Sequence, residues 1–146
     1  MAFLRIITSS LIISFLITIS SCSEDGTPAS RSVLIAGSEA SGKTWAITGI
    51  QLERGSLIVE DCIADNIIRY FPNGRYTISE GLELCSANDP ISWEGTWSLS
   101  RDETQIFIVL PDSSLTWGIE TLNSRTQVIS SVFDGDLETY TLSSSN

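Results

Sequence analysis

From residue 44 onward, apolar and polar side chains alternate in short runs cut by turn residues, the period of two that a pleated strand imposes. Trp93, Gly95, Trp97 and Leu99 fall on one face of such a run, with Ser92, Glu94, Thr96, Ser98 and Ser100 on the other. Leu115, Trp117 and Ile119 repeat the pattern against Thr116, Gly118 and Glu120. Ile106 to Leu110 is apolar at every position, which predicts cover on its outer surface from the Val33–Ala36 segment or a loop. Taken together the patterns place eight strands, at Thr44–Leu52, Ile67–Phe71, Arg75–Ser79, Ser92–Ser100, Gln105–Leu110, Ser114–Leu122, Thr126–Phe133 and Leu137–Leu142. Pro72-Asn73-Gly74 and Asp134-Gly135-Asp136 supply hairpin turns, and only the segment from Asp61 to Asn66 reads as a helical turn. Short links between antiparallel neighbours with one dry face favour a sheet that removes its edges by closing on itself. The expected fold is all-β: a single antiparallel eight-stranded up-and-down barrel.

Ahead of this pattern stands one unbroken apolar run, Ile6 to Ile19, behind a short positive start that ends in Arg5. The run suits a signal h-region and is too short to span a bilayer. Ile19-Ser20-Ser21-Cys22 follows and resembles the bacterial lipoprotein cleavage box, in which small residues precede a thiol that is acylated before the peptide is cut. The expected organisation is a lipoprotein signal peptide over 1–21, a flexible leader over 22–42 and a barrel domain over 43–146. Cys22 is the expected lipid anchor, and paired acyl chains hold a protein on a membrane without a spanning helix. Ser23-Glu24-Asp25 resembles the acidic signal that sends lipoproteins of the Bacteroidetes to the cell surface. The location expected is therefore the outer membrane, facing periplasm or medium.

Charge and composition narrow the partners. Eight basic side chains less Arg5 leave seven against eighteen acidic ones beyond the signal, a net charge near −11. Such a surface repels nucleic acid, so no nucleic-acid partner is expected. The sequence has no histidine, which removes the commonest general base and metal ligand; neither a cofactor nor catalysis is expected. Using Cys22 for lipid leaves Cys62 and Cys85 as a pair that an oxidising compartment lets bond, closing a loop of 23 residues worth roughly 3 kcal/mol. Glu60, Asp61, Asp65, Glu80, Glu83 and Asp89 cluster along the chain around these cysteines and are the candidates for paired carboxylates or a calcium site, against the plainer reading as solvated loop charges.

Gly37-Ser38-Glu39-Ala40-Ser41-Gly42-Lys43-Thr44 fits every fixed position of a phosphate-binding loop. Such a loop needs a helix starting at its Lys-Thr end. The residues that follow, Trp45 to Leu52, are β-branched and aromatic and favour a strand, so nucleotide binding is not expected.

Several fragments in order carry a family resemblance: Lys43-Thr44-Trp45 opening the first strand, Asp61-Cys62-Ile63-Ala64-Asp65-Asn66, and Tyr70-Phe71-Pro72-Asn73-Gly74-Arg75-Tyr76. Glu80-Gly81, Cys85, Asn88-Asp89-Pro90 and Gly95-Thr96-Trp97 continue it. From Lys43 to Leu142 the chain resembles the lipocalin-like domain of exported Bacteroidetes lipoproteins. The resemblance implies a calycin-like barrel and no catalytic residue. True lipocalins carry Gly-x-Trp in the first strand, whereas Gly42-Lys43-Thr44-Trp45 has one residue more. Two functions stay open: a barrel that holds a small apolar or amphipathic molecule, with Trp45, Trp97, Trp117 and also Phe107 or Tyr76 as wall candidates, or a filled barrel acting as an interaction module.

Overall fold

Among the described residues nine strands form one antiparallel sheet that closes through a pairing of its first and last long strands. The computed structural model describes residues 29–53, 55–56, 61–88, 90–133 and 135–145; the signal segment, Cys22, Glu60 and Asp89 lie outside them, as does the side chain of Asp61. The elements in order are α1 (Arg31–Ala36), β1 (Lys43–Leu52), β2 (Gly55–Ser56), α2 (Asp61–Ala64), β3 (Ile67–Tyr70), β4 (Arg75–Ser79), β5 (Ser92–Leu99), β6 (Gln105–Val109), β7 (Ser114–Leu122), β8 (Thr126–Phe133) and β9 (Asp136–Ser144). Sequential neighbours pair from β3 to β9, and β9 returns to β1 over Trp45 to Leu52, which closes the wall. The two-residue β2 hangs from the end of β1, so eight strands make the barrel. The expected all-β, up-and-down architecture is the observed one.

Inward and outward positions follow the alternation. Ile106 and Ile108 are fully buried while Phe107 and Val109 point out, 37% and 55% exposed. No described element covers that outer face, in contrast to the expectation from its apolar run. The Val33–Ala36 segment lies elsewhere: it belongs to α1, which packs against β1, β3 and β7 and buries Ile35 and Ala36 in the core. The stretch read as a flexible leader thus contains a helix. Ser30 starts it by accepting the N–H of Val33, and Gly37 ends it with a left-handed φ of 71°. Val33 and Ile35 are poor helix formers, so burial of Ile35 rather than propensity holds this turn in place.

The barrel has a sealed pole and an open one. At the sealed pole α1 lies under Trp45, whose indole Nε1 donates to the carbonyl of Ile35 at 2.8 Å. Lys43 Nζ donates to the carbonyls of Leu34 and Ser124, both at 2.8 Å, and stands 4.3 Å from the centroid of Trp45. Burial lowers the pKa of that lysine. This is the lysine of the phosphate-loop lookalike, and here it ties a helix C-terminus and a turn to the wall. Gly42 has a steric task as well. Its φ is +73°, and a Cβ there would stand 2.4 Å from the carbonyl oxygen of Tyr70. Thr44 and its successors form β1, so the helix that phosphate binding requires is absent.

Candidate functional site

Above the sealed pole a chain of rings rises along the barrel axis. Trp97 meets Tyr70 edge-on with centroids 5.3 Å apart, Tyr70 meets Tyr76 at 5.3 Å, and Tyr76 meets Trp117 at 6.3 Å. The Trp97 indole Nε1 donates to the Phe71 carbonyl at 2.9 Å. Gln127 is fully buried beside Tyr70, yet neither the amide nor the Tyr70 hydroxyl makes a hydrogen bond of good geometry among the described residues. Burial foremost, then the neighbouring Tyr76, raises the pKa of Tyr70, and burial raises that of Tyr76. These groups fill the lower half of the barrel and form the floor of what lies above.

That floor supports a cavity of about 350 Å³ opening at the other pole. Its apolar wall comes from Ile47, Ile68, Ile78, Leu115, Trp117, Ile129 and Leu142 on six different strands, with Ile63 leaning in from α2. Polar groups are few and gather toward the mouth: Asn66, Glu80, Ser131, Glu138 and Tyr140. A neighbouring chamber of about 340 Å³ shares Ile78, Glu80, Leu115 and Trp117 with it and reaches Trp93 and Asp112. The alternation places these side chains, since Glu138, Tyr140 and Leu142 of β9 stand opposite Ser131, Ile129 and Gln127 of β8.

The mouth is framed by α2 and the loop from Glu80 to Ile91. Cys62 on α2 is bonded to Cys85 on the loop, with Cα atoms 5.1 Å apart, as the cysteine arithmetic anticipated. Asp65 accepts the N–H groups of Leu82 at 2.6 Å and Glu83 at 3.1 Å through one carboxylate oxygen. The Asn66 amide, oriented as hydrogen bonding requires, donates to the carbonyls of Cys62, Ser79 and Glu80 at 3.3 Å each. Glu80 itself is 7% exposed and accepts the Cys85 N–H at 3.3 Å. Across the cavity the Tyr140 hydroxyl donates to Glu138; burial first, then this carboxylate, raises the tyrosine pKa.

The residues singled out from the sequence therefore separate. Trp117 lines the cavity and Tyr76 the adjoining chamber. Trp45 and Trp97 belong to the floor, and Phe107 faces outward. Of the candidate carboxylates, Glu80 enters the cavity, Asp65 anchors the mouth loop and Glu83 is exposed. Among the described residues no group of three or more acidic, cysteine or histidine side chains could hold a metal ion. Glu138, Tyr140 and Asn66 were not anticipated, although Glu138-x-Tyr140-x-Leu142 is itself an alternating inward face.

No protein-family model matches the chain, and no curated protein matches it. Among solved structures it is similar to a lipocalin-like protein from Bacteroides uniformis ATCC 8492, at 12% sequence identity and a TM-score of 0.49, over 69% of this chain and 94% of that one. The barrel assignment above stands on the strand pairings, not on this likeness.

Proposed function

We propose that the protein is an exported, noncatalytic lipoprotein, held to the outer membrane through acylated Cys22, whose barrel binds a small apolar or amphipathic molecule. The cavity carries this reading. A closed barrel that only fills itself leaves no such space, whereas about 350 Å³ with an apolar wall and a few polar groups at one end is at the small end of ligand sites, about 300–1,000 Å³. The floor closes the pocket on the side of α1. Glu80 accepts the Cys85 N–H and Glu138 the Tyr140 hydroxyl, which holds both carboxylates at the polar end of the cavity.

Two measurements test the reading. The purified protein, extracted with organic solvent, yields a co-purifying small molecule by mass spectrometry, and a neutral fluorescent reporter such as N-phenylnaphthylamine brightens on binding. Trp117→Ala weakens reporter binding while Phe107→Ala does not. Repeated recovery of no ligand together with a silent reporter refutes the lumen as a binding site. Anchoring is tested separately by fatty-acid labelling, which Cys22→Ala abolishes. The second reading, an interaction module, draws on the uncovered outer face of β6, where Val109 is 55% exposed; retention of a partner that Val109→Glu releases would favour it.

A further inference from the structure

The ligand class can be narrowed by charge. The ionisable groups lining the cavity and its side chamber, tyrosines apart, are Glu80, Glu138 and Asp112, all acidic. Glu80 is more than nine-tenths buried, and among the described residues no basic side chain pairs with it or with Glu138. A carboxylate withdrawn from water without a counter-charge is costly unless another group supplies one. One weak backbone N–H, at 3.3 Å, is little compensation for Glu80.

A second observation, independent of the cavity, points the same way. Of the eight basic residues, Arg5 and Arg54 lie outside the described residues; the other six are Arg31, Lys43, Arg69, Arg75, Arg101 and Arg125. All six sit in the sealed half: on α1, at the start of β1 and β4, at the end of β3, and in the turns after β5 and β7. The mouth half carries Glu53, Asp65, Glu80, Glu83, Asp112, Asp136 and Glu138. Glu39, Asp102, Glu103 and Glu120 also lie in the sealed half and Glu94 pairs with Arg75 at 3.9 Å, so charges there nearly cancel. Among the described residues the net negative charge gathers around the opening, a field that draws cations in and turns anions away.

We infer that the lumen, read as a ligand site as above, takes a cationic amphiphile. Such a ligand is a small amine or amidine whose apolar part rests on Ile129, Leu142 and Trp117 and whose charged head meets Glu80 and Glu138. A fatty acid, the obvious tenant of an apolar barrel, would place its carboxylate against two others. The amine supplies a counter-charge that no described residue provides, and its N–H groups can donate to the two carboxylates.

Displacement of N-phenylnaphthylamine from the purified protein by octylamine, octanol and octanoate separates the possibilities, because the three share a chain and differ in head charge. Octylamine is expected to bind at least about tenfold tighter than octanol, with octanoate weakest. The octylamine preference shrinks as salt rises and is lost in Glu138→Gln. Glu80→Gln is checked by circular dichroism first, since Glu80 also holds the mouth loop; Glu138→Gln and the salt series decide the matter if that variant misfolds. Octanol equal to octylamine, or octanoate tighter than either, overturns the cationic inference and leaves the lumen reading intact. A reporter that never binds overturns both.

Discussion

Removing the Cys62–Cys85 bond offers the most direct check on how the mouth is held. The bond closes a loop of 23 residues, and cross-linking a loop of that length takes about 3 kcal/mol of freedom out of the denatured chain. The native mouth has other ties. Asp65 holds Leu82 and Glu83, and Asn66 holds the carbonyls of Cys62, Ser79 and Glu80, so both ends of the loop remain fixed when the sulfurs part. The loss therefore falls on the unfolded side of the equilibrium. For a domain of this size 1 kcal/mol corresponds to about 3–5 °C, so the Cys62→Ala, Cys85→Ala double variant should melt about 10–15 °C lower. Its near-ultraviolet circular dichroism and reporter affinity at 25 °C should match those of the parent. The measurement is a thermal melt of parent, variant and parent with reductant, with reduced parent and variant coinciding. A decrease of under about 3 °C would refute the loop-entropy argument. A parent-like melt with lost reporter binding would show instead that the bond shapes the native mouth.

Other outcomes follow from the core and the floor. Ile35→Ala, at a position with no exposed surface in the plug, should cost about 2–5 kcal/mol in denaturant unfolding; a cost under about 1 kcal/mol would mean that α1 is not part of the core. Gly42→Ala forces a Cβ against the Tyr70 carbonyl and should destabilise strongly, while Gly49→Ala, whose Cβ would stand 3.8 Å from Thr141, should be near neutral. Gln127→Met replaces a buried amide that lacks good hydrogen bonds and should raise stability by about 1 kcal/mol; a loss would reveal a partner such as an internal water. All three tyrosines have folded-state pKa values raised above the ordinary 10.0, so their protons stay on the folded protein and leave the unfolded one. Stability is then whole below pH 10 and falls as pH rises beyond it, with phenolate absorbance appearing together with loss of structure. A tyrosine that ionises near pH 10.0 in the intact fold would contradict this.

Most of the barrel was legible because period-two alternation is a local signal that burial then enforces. Arg75–Ser79, Ser114–Leu122 and Thr126–Phe133 match the observed β4, β7 and β8, and other ends differ by a residue or two. What was not legible depends on contacts distant in sequence. Between Ser30 and Gly37 the β-branched Val33 and Ile35 argue locally for a strand, and only the pocket under Trp45 makes the helix the better choice. The apolar outer face of β6 reads like a buried strand, although nothing described covers it. At the site, Trp117 and Glu80 could be named from composition and position. Trp45 and Trp97 could not be told from wall residues, since inward alternation says nothing about height along the axis. Their depth follows from strand register and from where the turn after β3 brings Phe71.

The plug at Trp45 also sets the end of the barrel at which the described chain begins. The described chain starts beside that plug, at Ala29, and the loops rimming the aperture lie at the opposite end. A lipid on Cys22, as proposed, would therefore reach the stoppered base first and leave the lip at the far end. Anything the proposed lumen holds would then enter and leave at the end away from that attachment.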